Sequence, residues 1–164
     1  MTKIKLLEDL VAFTKEVTKD IILPVAPQER DTANSPTSRA AEVYKMRLPD
    51  SAAAKKKVPY IIHQIVSGKD TQPEGQYPSA SATVRSIFAV YCKDESEGAM
   101  HLLNLMERVR IALDQQVVIG HQFELDLKTG VDMLIYPDDT APYFIGEMST
   151  VWNIPAIRRE VRAL

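Results

Sequence analysis

The side chains best suited to acid–base or nucleophilic work are three histidines, His63, His101 and His121, and one cysteine, Cys92. A serine or cysteine nucleophile needs a base within hydrogen-bond reach and a third group that orients the base. Spacing assembles no such set. His63 falls in an apolar run, His101 near the start of a helical pattern and His121 directly after Gly120, and GxSxG does not occur. The plain reading is of solvated or locally bonded imidazoles. Cys92 stands between Tyr91 and Lys93, and a neighbouring lysine favours a thiolate. A free cysteine at a strand end is nevertheless more often a small core residue. A small hydrolase built on His63 or Cys92 would need a concave site with a perturbed titrating group beside those side chains.

Phosphate cradles and metal cages are no better supported. The six glycines are scattered, and neither GxGxxG nor GxxxxGK[ST] is present. Asp138-Asp139 and Asp94-Glu95 are paired acids, but a calcium site needs several spaced oxygen donors and a turn glycine. A solvated turn and a helix cap account for them. Lys55-Lys56-Lys57 and the tail Arg158-Arg159-Glu160-Val161-Arg162 could touch nucleic-acid phosphates. Short charge runs are commoner as solvated faces; a DNA-contacting module at Lys55–Lys57 would bind with steep salt dependence. No cofactor, no metal and no catalytic residue is expected.

Composition narrows the class further. A chain of 164 residues with 45% hydrophobic and 26% charged residues fits one soluble globular domain spanning 1–164. The net charge of -2 argues against specific nucleic-acid binding, which needs surplus Lys and Arg. No apolar run approaches the roughly 20 residues that cross a bilayer, and the N-terminus has no apolar signal core. A single cysteine suits a reducing compartment. The reducing cytosol is the expected place of assembly.

The elements that must position these residues follow from periodicity. Ile4, Leu7, Val11, Thr14, Val17 and Ile21 recur at helical spacing and predict an amphipathic helix over 3–23. Pro24 and Pro27 stop it, and 24–40 has the make-up of a long loop, its polar part running from Gln28 to Ser38. Val43–Leu48 reads as extended, Tyr60–Val66 as a strand, and Ser67–Pro78 as a long hairpin-like connection. In the strand Ala82–Cys92, Val84, Ser86, Phe88, Val90 and Cys92 share one face, and Thr83, Arg85, Ile87, Ala89 and Tyr91 the other. Apolar groups on both faces predict a central strand, covered by a helix on one side and by another element or a neighbouring subunit on the other.

Asp94 to Glu97 then places negative charge at a helix start, with Ala99, Leu102, Leu103, Met106, Val109 and Leu113 at helical spacing up to Gln115 and Gln116. Short strands are predicted over Phe123–Leu127 and Val131–Tyr136, and a last one over Phe144–Ile154. There Phe144, Gly146, Met148, Thr150, Trp152 and Ile154 share a face and Trp152 anchors the core. The order of elements implies an α+β fold: a mixed, mainly antiparallel sheet flanked by an N-terminal amphipathic helix and a long central helix.

The stretches Pro59-Tyr60-Ile61-Ile62-His63-Gln64-Ile65-Val66-Ser67-Gly68 and Thr83-Val84-Arg85-Ser86-Ile87-Phe88-Ala89-Val90-Tyr91 resemble the first strand pair of bacteriophage tail terminator and tail completion proteins. The segment from Glu97-Gly98 through Leu103-Asn104-Leu105-Met106-Glu107-Arg108-Val109-Arg110 is similar to that family's helix. Its closing strands are resembled by Phe123-Glu124-Leu125, Pro142–Met148 and Trp152-Asn153-Ile154-Pro155. The resemblance covers about residues 58–160 and lies in the order of the pieces. It implies a virion protein: a homohexameric ring at the head-proximal end of the tail tube that stops tube growth and joins the tail to the neck. Implied partners are the chain itself, the tail tube protein, a neck or head-completion protein and, for a contractile tail, the sheath. Candidate contact residues lie in the connection Gly68–Ser81, foremost Gly68, Lys69, Asp70, Gln72, Glu74 and Tyr77, and then in Gln28–Ser38. The alternative within the same class is another neck or head–tail joining protein.

Overall fold

The computed structural model describes residues 2–27, 32–49, 54, 57–137 and 140–160. The first helix, α1 (Lys3–Thr18), begins where Thr2 adopts an extended conformation and its hydroxyl accepts a hydrogen bond from the Lys5 N–H. An N-cap side chain of this kind satisfies one of the four donors that a helix start leaves unpaired. Its buried residues are Leu6, Leu7, Leu10, Thr14 and Thr18, whereas Ile4 is 68% exposed. The face is thus rotated from the expected stripe, because α1 packs against both the sheet and the second helix. Thr14 and Thr18 enter it by donating their hydroxyl hydrogens to the carbonyls of Leu10 and Thr14.

The helix ends five residues earlier than expected. A residue before proline is pushed out of the helical region, and here Leu23–Pro24 (β1) leaves extended to pair with Ser38–Arg39 (β2). Ile21 and Leu23 therefore reach the core from a strand-like segment. The 24–40 loop is tied at both ends by this ladder and by the Val25 N–H to the Thr37 carbonyl; its residues 28–31 lie outside the described ones. Arg39 then spans to the next strand's approach, donating to the carbonyls of Ala40, Lys57 and Pro59. Of the triple lysine, Lys57 is half-buried, while Lys55 and Lys56 lie outside the described residues.

The main sheet has seven strands among the described residues. β3 (Glu42–Lys45) runs parallel to β4 (Tyr60–Thr71) and is shorter than the Val43–Leu48 segment expected, since Met46 takes a positive φ of 61°. All other pairings are antiparallel: β4 with β5 (Ser79–Tyr91), β5 with β9 (Tyr143–Ile154), β9 with β7 (Phe123–Leu125), and β7 with β6 (Val118–Ile119). β8 (Val131–Ile135) pairs with β9 on the same side as β7. The fold is α+β, with a curled mixed sheet and both helices on one face.

The second helix, α2 (Glu95–Gln116), lies where its signals place it. Asp94 caps the start by accepting the Glu97 N–H, and Val117, at φ 59°, closes the end by donating to the Leu113 carbonyl. Its core residues are Gly98, Leu102, Leu105, Met106, Val109 and Leu113, so Gly98 and Leu105 occupy the places expected of Ala99 and Leu103. Gly98 sits under the Phe144 ring, where an added Cβ would come within 2.2 Å of it. On β9, Gly146, Met148, Thr150, Trp152 and Ile154 are buried as the alternation predicts, and the Trp152 indole N–H donates to Thr150 Oγ1.

The opposite face of the sheet is only partly covered. At the end near Tyr91, Ala26, Val58, Tyr60, Ile62 and Ala89 form a second, smaller apolar cluster with Tyr44, Leu48, Ile87, Tyr143 and Ile145 packed on it. Central β5 is indeed covered on both faces there. Further along, Thr83 and Arg85 on β5 leave this face open.

Candidate interaction surface

β3 pairs with β4 only from Tyr60 to His63, yet β4 continues to Thr71. The continuation begins with a bulge between Ile65 and Ser67 and is backed by β5, whose Ala80–Ala82 pair in turn with β9. A β-bulge adds twist and re-aims the strand beyond it. Gly68, Lys69 and Asp70 therefore belong to a strand, not to the connection the sequence predicts. The connection itself is 72–78 and holds Gln72, Glu74 and Tyr77. All six residues are exposed, and Tyr77, at 94%, stands almost wholly in solvent at the tip. Gly75 supplies the positive φ of 71° for this turn, and Thr71 Oγ1 meets Ser79 Oγ at 2.8 Å across its base. Beside that base, Asp70, Thr71 and Ser79 line a cleft of about 250 Å³ with Ile157 and Arg159 of the segment after β9.

On the helix-free face, Arg85 makes a two-pronged contact with Glu147, its Nε at 2.9 Å and one terminal nitrogen at 2.6 Å from the carboxylate oxygens. The Tyr136 hydroxyl bonds the same carboxylate. Hydrogen bonding from Arg85 holds Glu147 below the usual carboxylate range, with burial opposing it, and the Glu147 bond raises the Tyr136 phenol. Val66, Leu134 and Met133 flank this network in a shallow groove of about 290 Å³. Three large apolar residues are exposed on this face: Val66, Leu134 and Tyr136; Ile135, also exposed, alternates to the other face of β8.

The groups that sequence singled out for chemistry are dispersed. His63 is fully buried rather than solvated, with Nε2 2.8 Å from Thr14 Oγ1 and Nδ1 2.7 Å from Ser86 Oγ. The Thr14 hydroxyl spends its one hydrogen on the Leu10 carbonyl, so it accepts from His63 Nε2–H. The bare Nδ1 then accepts from Ser86. The neutral ring is satisfied on both sides, and burial pushes its pKa down to about 3. A Ser–His contact of this length resembles a nucleophile–base pair. Thr14, His63 and Ser86 are each at most 3% exposed, however, and none lines a described cleft. The trace of this chain in the sequence is Ser86, a polar residue on an otherwise apolar strand face.

Cys92 is buried, as expected of a small core residue. It borders a cleft of about 470 Å³ together with Lys93, Asp94 and Glu97, and no histidine lines that cleft. Asp94 there is occupied as the α2 cap. His101 is half-buried on α2, and His121 is exposed in a turn at φ 59°. Among the described residues no cluster of three or more His, Cys, Asp or Glu could hold a metal ion, and no helix is long and apolar enough to cross a membrane. Asp138 and Asp139 lie outside the described residues. No protein-family profile matches the chain. No curated protein matches it either.

Proposed function

We propose that this chain is a structural subunit of a bacteriophage tail, a tail terminator that forms a homohexameric ring on the head-proximal end of the tail tube. The observation that carries this reading is the exposed far half of β4 with its Tyr77 tip, beside a sheet face that leaves Val66, Leu134 and Tyr136 in solvent. Such surfaces mark contacts with other chains. The ordered resemblance over 58–160 and the two helices on one face of a mixed sheet support it. Burial of the Ser86–His63 contact removes the best-formed pair that an enzyme could use. The mechanism of this reading is geometric and involves no reaction. A ring whose lower face fits the last tube ring, and whose upper face does not template another, ends growth by withholding the next interface. Tube protein, a neck protein and, in a contractile tail, the sheath are its partners, in a virion assembled in bacterial cytoplasm.

Light scattering across a dilution series, followed by negative-stain imaging, tests the proposal. A six-membered ring with a central channel that blocks elongation of purified tube is the expected result. A ring that leaves tube growth unaffected points instead to a neck or head–tail joining protein. A strict monomer that neither binds tube ends nor stops them overturns both.

A further inference from the structure

Among the described residues, two stretches of the main sheet's edge lack a partner strand besides the outer edges of the short end strands β3 and β6. One is the outer edge of β8. The bond from the Tyr136 N–H to the Ile145 carbonyl fixes the phase of the β8–β9 ladder. By antiparallel alternation, Asp132 and Leu134 also turn their backbone groups to β9, and Val131, Met133 and Ile135 turn theirs outward. The other edge is the far half of β4. The Met46 N–H meets the His63 carbonyl on the β3 side, and the bulge then resets the alternation. With His63 turned to β3, Gln64 bonds its β5 partner Arg85; Thr83 and Ser81, two and four residues along β5, therefore also face β4 and bond Ser67 and Lys69, so Gly68 and Asp70 face outward. An edge with exposed Leu134, Ile135 and Tyr136 and only Asp132 for protection is a template for another strand.

We infer that these two edges bind each other between copies of this chain: β8 of one copy pairs antiparallel with the far half of β4 of the next. The inference rests on the ring reading above and names the contact that builds the ring. Direction agrees, because β8 is three antiparallel steps from β4 across β9 and β5. A rotation that preserves strand direction therefore brings β8 and the neighbour's β4 together as an antiparallel pair. Facing agrees as well. Asp132 lies level with Ser149 and Lys69 with Ser81, and both stand on the helix-free face. The register that sets Asp132 opposite Lys69 opposes carboxylate and ammonium, sets Met133 opposite Gly68 with its missing side chain, and places Ile135 level with the bulge. The outward backbone groups of Val131 and Met133 then meet those of Asp70 and Gly68, and those of Ile135 reach the bulge. Two different edges make the contact heterologous, the kind that closes into rings.

Asp132 and Lys69 would form a pair without backbone bonds between them, with the closer Cα spacing of about 4.5 Å that a disulfide can bridge. The test compares Asp132→Cys, Lys69→Cys and the double variant under mild oxidation, with the unmodified chain and its buried Cys92 as control. The double variant should give a ladder of disulfide-linked species beyond the dimer, and each single variant no ladder. A second variant, Ile135→Pro, removes an outward N–H that β9 does not use; it should reduce the assembly to monomer while circular dichroism and Tm stay close to the unmodified values. Rings that persist in Ile135→Pro, with no ladder from the double variant, overturn this contact and leave the ring reading standing. Equal cross-linking by Asp132→Cys alone overturns it in favour of symmetric β8–β8 pairing. An unmodified chain that stays monomeric at every concentration, with no ladder from the double variant, overturns the contact and counts against the ring.

Discussion

At the scale of the residue, His63 is where stability and pH meet. Its neutral ring joins α1 to the sheet through Thr14 and Ser86, and the protonated ring would be a buried charge, which burial disfavours. The folded pKa of about 3 lies below the ordinary 6.5, so the unfolded chain takes up the proton first. The stability held by neutral His63 is whole above about pH 6.5 and is lost as pH falls towards 3, by at most about 5 kcal/mol. His63→Leu should cost about 1–3 kcal/mol at pH 7, because it strips the Ser86 hydroxyl of its acceptor. It should also flatten the loss between pH 7 and pH 4. Urea unfolding of both proteins at the two pH values measures the difference, and carboxylates such as Glu147, common to both, cancel. Parallel pH profiles would show that His63 carries no linkage.

Elements are held in place by close approaches that a propensity scale misjudges. Gly98 lies within α2, where alanine would ordinarily stabilise by up to about 1 kcal/mol. Here a Cβ would meet the Phe144 ring at 2.2 Å. Gly98→Ala should therefore destabilise by about 1–3 kcal/mol as helix and strand are forced apart. Adding Phe144→Leu should restore part of that loss, since the shorter side chain frees the space. A double-mutant cycle by thermal unfolding checks the coupling; additive effects would mean that the two residues do not compete for one volume. At the start of the same helix, Asp94→Ala removes the acceptor of the Glu97 N–H and should cost about 1 kcal/mol.

For the whole molecule, the surfaces that hold the fold are separable from those proposed for assembly. Tyr77 stands almost free at the tip of the β4–β5 connection, so Tyr77→Asp should leave the unfolding free energy within about 0.5 kcal/mol. The same change should weaken attachment to tube ends if the tip meets the tube, as co-sedimentation with purified tube would reveal. Unchanged co-sedimentation would remove the tip from the tube contact. Trp152, wholly buried where β9 meets the helices, is the opposite case. Trp152→Ala should cost about 3–5 kcal/mol and lower Tm without any assembly partner present.

The sequence by itself determined the α+β class, the extent of α2 and the alternation that buries Met148, Thr150 and Trp152, because capping and side-chain period are local properties. It also located the exposed stretch from Gly68 to Tyr77, though not that its first half is strand. Only the tertiary structure decided where α1 ends and which way it faces, because sheet and second helix compete for its surface and Pro24 is recruited into a ladder. The same holds for the contact of Thr14, His63 and Ser86, whose residues are 49 and 23 positions apart. No local spacing reports such a meeting; it exists because β4 and β5 pair in one register and α1 crosses above them. The free edges of β8 and β4 are of this kind too, since an edge is defined by what fails to pair, and pairing is a property of the folded chain.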